Sequence, residues 1–165
     1  MAEIKDLLFY LLQQYPNKYE LSNARVTKMV YLCDWKHSID FGCQITNIIW
    51  YFDSFGPFVW DVVDTAKQHL ELFEVESSFT PSGNPKVLIN AKQVNYSPIL
   101  AESEKKVADH VVQSTKIKTW EEFINLVYST YPILTAERFH YLNLPEIANE
   151  YKKSPFYHRD AQAEI

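Results

Sequence analysis

The chain has 165 residues, 47% hydrophobic and 15% aromatic, with a formal net charge of −5. That suits one domain with a substantial core, and charged residues at 22% exclude wholesale disorder. Basic residues come in short scattered pairs (Lys105-Lys106, Lys152-Lys153, His158-Arg159), which argues against phosphate-backbone binding and makes nucleic acid an unfavoured partner. A mildly acidic surface favours a basic protein partner. No apolar run approaches the roughly 18 residues needed to cross a bilayer, and no signal-peptide pattern opens the chain. Two cysteines, Cys33 and Cys43, make no disulfide framework. The expectation is a cytoplasmic protein with reduced thiols and no membrane partner.

Ile4, Leu7, Leu8, Leu11, Leu12 and Tyr15 share one face of a first helix, which Pro16-Asn17 ends. Ser22 is a good N-cap for a second helix. That helix carries two apolar stripes, Val26/Met29/Val30/Cys33/His37 and Tyr31/Trp35, so it is expected to be buried around much of its circumference. Gly42 terminates it. Residues 48–53 are β-branched and aromatic and predict a short strand. Gly56-Pro57 predicts a turn, with proline at a first helical position. Val59, Val62, Val63, Ala66 and Leu70 would then face inward from a third helix. Alternation predicts strands over 71–79 and 86–91, joined through the loop Thr80 to Pro85. A helix over 99–115 turns Val107, Ala108 and Val111 inward. Thr119-Trp120-Glu121-Glu122 is a capping box, opening a helix with Trp120, Phe123, Ile124, Val127 and Tyr128 on its face. Pro132 stops that helix. Short helices follow at 136–139 and 145–153, and the segment after Ser154 lacks periodicity. The pattern predicts a single compact α+β domain, predominantly α-helical with a small antiparallel hairpin, over residues 1–153, and a flexible tail over 154–165.

Chemistry is sparse. Cys33, His37 and Cys43 could make a metal trio, but zinc sites use paired short spacings and four ligands. The plain reading is a buried thiol and a core histidine. A Cys33–His37 nucleophilic pair lacks an oxyanion signature, and burial raises a thiol's pKa. Asp61/Asp64 and Asp34/His37 read as solvated or structural pairs. No Walker loop, dinucleotide fingerprint or zincin motif is present. No metal or cofactor and no catalytic residue is expected. The richest segment is Ile48 to Trp60, where Trp50, Tyr51, Phe52, Phe55, Phe58 and Trp60 surround Gly56-Pro57. In a strand, Trp50 and Phe52 share one side and Tyr51 takes the other. Most of these rings belong to a core corner, and a subset is free for a partner. Trp35, Tyr51, Phe55 and Trp60 are the candidate contacts.

Five segments carry a family resemblance. Lys28 to His37 is similar to the helix K-L-L-Y-L-A-x-x-x-H of the Panacea, or SocA-like, family. Gly42 with Ile45-Thr46 resembles that family's G-x-x-I link, and Trp50 to Phe58 its Y-x-x-G-P junction. Val107 to Val112 and Trp120 to Pro132 are similar to later family segments, though Ser129 or Thr130 stands where the family has a histidine. The resemblance implies a bacterial or phage-associated antitoxin that neutralises a cognate protein toxin by binding it. One relative delivers its toxin to a protease, which makes a protease the second partner to consider; homo-oligomers stay open. The alternatives from other classes are a small intracellular enzyme using Cys33 or His37 and a nucleic-acid-binding regulator.

Overall fold

The computed structural model describes residues 1–162. The order of elements is α1 (Ile4–Gln14), a 3₁₀ turn (Lys18–Glu20), α2 (Asn23–Phe41), β1 (Trp50–Asp53), β2 (Gly56–Pro57), α3 (Asp61–Gln68), β3 (Phe73–Phe79), β4 (Pro85–Ala91), α4 (Glu102–Thr115), α5 (Trp120–Tyr128), α6 (Tyr131–Thr135), β5 (Tyr141–Leu142), α7 (Leu144–Lys152) and α8 (Pro155–Gln162). This is an α+β fold with two small antiparallel sheets, ordered β2-β1-β5 and β3-β4.

The long helix α2 is the axis of the domain. The Ser22 hydroxyl accepts from the Arg25 N–H and starts it. Gly42, at φ +78°, ends it by donating its N–H to the Ser38 carbonyl. Between them, residues 25–35 are all buried, and α2 packs against α3, α4, α7 and β4. Such a helix cannot keep a single apolar stripe, which is why its sequence shows two. The face predicted for α1 is buried except for the half-buried Ile4, and it is joined by Phe9 and by Asp6, whose carboxylate accepts from the Tyr96 hydroxyl. Arg25 is buried too. It donates to the carbonyls of Thr115 and Lys118, both at 3.1 Å, and lies 4.6 Å from the Phe123 ring centre.

The structure departs from the sequence expectations where proline and short periodicity mislead. Pro57 does not open a helix. It pairs with Phe52 in the edge strand β2, where a residue without an N–H is tolerated. Helix α3 starts four residues later, with Asp61 and Asp64 in its first turn, where carboxylates suit the helix dipole. It ends at Gln68, so Leu70 falls past it and is exposed. Ile99 lies before α4 and is exposed, and Trp120 is half out in solvent. The short helix expected at 136–139 lies earlier, at Tyr131–Thr135, because Pro132 fits a first helical turn at no hydrogen-bonding cost. The segment after Ser154 forms α8, held by the Tyr157 ring against Tyr151. The last three residues of the expected tail lie outside the described residues.

Gly56 sits at φ +97°, and a Cβ there would lie 3.5 Å from the Tyr128 ring. Gly56→Val is therefore expected to cost about 1–3 kcal/mol through backbone strain. Chemical denaturation of the variant checks this; an unchanged midpoint would show that the junction relaxes freely.

Candidate functional site

The strand β1 is placed by one buried carboxylate. Asp34, in the middle of α2, is fully buried. Its Oδ1 accepts from the backbone N–H groups of Ile45 and Thr46, both at 2.9 Å. Its Oδ2 accepts from the Thr46 hydroxyl at 2.6 Å and the Trp50 indole N–H at 2.8 Å. Burial outweighs these four donors and raises the carboxyl to about 6. The Trp50 ring also packs edge-on to Tyr31, 5.5 Å between centres. The α2–β1 connection is thereby pinned at both ends, and Trp50 and Phe52 point inward.

The opposite face of the small sheet is only partly covered: Tyr51, Asp53 and Phe58 are half-buried there. Tyr51 pairs with Tyr141 of β5, and the two rings meet edge-on at 5.2 Å. On the other side of β1, Phe58 donates its N–H to the Tyr51 carbonyl. Its ring stands edge-on to Trp60 at 5.1 Å. Tyr141 of β5, Tyr51 of β1, and Phe58 and Trp60 just past β2 thus form an aromatic row, two ring pairs joined by the Phe58–Tyr51 backbone hydrogen bond. Tyr141 is 75% exposed and Trp60 66%; Phe55, at the tip of the β1–β2 turn, is 81% exposed. Phe139 is also exposed, and it adopts φ +66°, a left-handed conformation that a bulky residue rarely takes. Its N–H donates to the Phe52 carbonyl at 2.5 Å, so the strain is held by the pairing that brings β5 beside β1.

Of the four candidate contacts, Tyr51, Phe55 and Trp60 lie on this small sheet or directly beside it. Trp35 does not. It is 6% exposed and packs on Tyr151 at 5.6 Å. Phe58, Phe139 and Tyr141 are the members that sequence reasoning missed. Phe139 to Tyr141 lie some 80–90 residues from the junction, and their only local signal is an aromatic pair just before the Asn143 cap, which accepts from the Glu146 N–H.

The histidine and cysteines have other work. Cys33 is buried, and burial, with Asp34 beside it, pushes its thiol well above the ordinary range. His37 Nδ1 lies 2.7 Å from the Cys43 carbonyl, which can only accept, so Nδ1 carries the proton. Nε2 lies 3.1 Å from the Ser103 hydroxyl. The Cys43 sulfur, 3.8 Å from Nδ1, faces a donor and not a base. His37 ties the end of α2 to the start of α4. Among the described residues, no group of three or more His, Cys, Asp or Glu side chains is placed to hold a metal ion.

A cleft of about 320 Å³ opens between α2, α4 and α6–α8, walled by Trp35, Tyr131, Tyr151 and Tyr157. Two polar pairs lie along it: Lys36 with Asp40 at 3.1 Å and the Tyr151 hydroxyl with Asp160 at 2.5 Å. At its edge His110 is lowered by burial and by the Lys36 charge. No helix among the described residues is long and apolar enough to cross a membrane.

The family model described as "Antitoxin SocA-like, Panacea domain" matches residues 26–132, well over half of the chain. The match runs from the first turn of α2 through the aromatic junction to the start of α6. No curated protein and no solved structure matches the chain.

Proposed function

The chain belongs to the family of SocA-like antitoxins with a Panacea domain, and on that premise we propose that it neutralises a protein toxin by binding it directly through the aromatic row. The observation that carries this reading is the row itself. Large rings are normally interior residues, and several lie together here on a partly exposed sheet face. Interface hot spots favour such rings, which bury much area for little lost rotamer freedom. The mechanism is stoichiometric docking, not catalysis, and it ends in occlusion of the toxin or its hand-over to a protease.

The test is co-expression with the product of the neighbouring gene as the toxin, scored by growth and by co-purification. Wild type should restore growth. Phe55→Ala and Trp60→Ala should each weaken binding by roughly 2 kcal/mol or more. Being exposed, they should move stability by no more than about 0.5 kcal/mol. Growth rescue that persists in the Phe55/Trp60 double variant would place the interface elsewhere, with the loop from Thr80 to Pro85 next in line.

A further inference from the structure

The charges around the aromatic row are uneven. Asp53 shares the outer face of β1, and its carboxylate accepts only from the Ser54 N–H among the described residues. Asp61 follows Trp60 directly, and Asp64 lies one helical turn on, its N–H donating to the Trp60 carbonyl. Glu137 precedes Phe139 by two residues and is exposed, as are Asp61 and Asp64. Among the described residues none of these four carboxylates enters an ion pair with a lysine, arginine or histidine; the six ion pairs of the fold are all formed by other residues.

Lys67, exposed one turn past Asp64 on α3, and two further cations stand against them. Arg138 lies 5.5 Å from the Phe52 ring centre. Lys28 is buried, its amine 5.9 Å from the Phe58 ring centre. Its stem is spent inside the fold, and burial lowers the amine to about 8 against the pull of Asp53. The surface around the row therefore offers π faces and carboxylates in excess of cations.

That combination has one chemical complement. A guanidinium stacks on an aromatic face and pairs bidentately with a carboxylate, and an ammonium does the first of these less well and the second as a point charge. We infer that the aromatic row Tyr141–Tyr51–Phe58–Trp60, with the neighbouring carboxylates of Asp53, Asp61, Asp64 and Glu137, is a docking face for an arginine-bearing segment of a protein partner. The inference rests on the antitoxin reading for the identity of that partner, and it names the partner's chemistry. Arginine side chains would stack on Tyr51, Trp60 and Tyr141 and reach the carboxylates of α3's first turn. The net charge of −5 steers the same class of partner from a distance.

The test needs no toxin. The full chain is immobilised, and a displayed library of random 12-residue peptides is selected on it. Enriched peptides should carry arginine beside apolar residues. Their Kd should rise at least fivefold on Asp61→Asn/Asp64→Asn and at least tenfold on Trp60→Ala. The same loss of two charges on the separate β3–β4 sheet, Glu74→Gln/Glu76→Gln, should change Kd less than twofold. That control separates a built face from attraction by net charge. Enriched peptides that are acidic or uncharged would overturn the inference. So would equal losses on both double variants, insensitivity to Trp60→Ala, or a selection that enriches nothing. A failed growth rescue with a successful selection would remove the antitoxin reading and leave the docking face; the reverse would do the opposite.

Discussion

Asp34→Ala is expected to destabilise the fold by about 3–5 kcal/mol, as breaking a buried charged network does. Two backbone N–H groups, a hydroxyl and an indole N–H lose their shared acceptor at once. Each buried donor left unpaired costs about 1–3 kcal/mol, less whatever water enters the space. Urea denaturation measures the loss. A change under about 1 kcal/mol would mean that the 44–50 segment finds other acceptors. The same carboxyl has a signature in pH. It is raised from its ordinary 3.8 to about 6. Between roughly pH 4 and 6 the folded chain therefore holds a proton that the unfolded chain has released. Its contribution to stability is fully present below about pH 4, falls as pH rises through that window, and is flat above it. Asp34→Asn, which cannot titrate, should lack this slope. Subtracting its stability–pH curve from that of wild type isolates the term from the other carboxylates. A difference that rises with pH over the window would show that the four donors, and not burial, dominate.

Trp35→Ala is expected to melt the domain, not to release the toxin. The indole is buried between α2 and α7, against Tyr151. Truncating a buried tryptophan costs about 3–5 kcal/mol through lost transfer energy and the cavity left behind. Binding measured well below the lowered melting temperature should stay within a factor of two of wild type. A variant that keeps its melting temperature and loses the toxin would return Trp35 to the interface. Set beside Trp60→Ala, with the opposite pair of outcomes, this divides the junction's rings between core and surface.

The sequence by itself determined the elements whose signals are local. The Ser22 and Thr119 caps, the αL glycine at 42, the α1 stripe, the β3–β4 hairpin and the family motifs from Lys28 to Pro132 all depend on residues a few positions apart. The inward and outward sides of β1 were legible too, because strand geometry alternates whatever the strand packs on. Tertiary structure decided the rest. Tyr31 and Trp35 look like neighbouring aromatics on one helix, and both are buried because α2 is covered on so many sides. Gly56-Pro57 looks like a helix start and becomes an edge strand because Phe52 and Asp53 are there to pair with it. Asp34 looks like a surface acid. It is buried because the chain turns back at Gly42 and brings Ile45, Thr46 and Trp50 to its oxygens. The aromatic row itself is non-local: Tyr141 reaches Tyr51 only when β5 pairs with β1 across 90 residues, and no periodicity within either segment encodes that register.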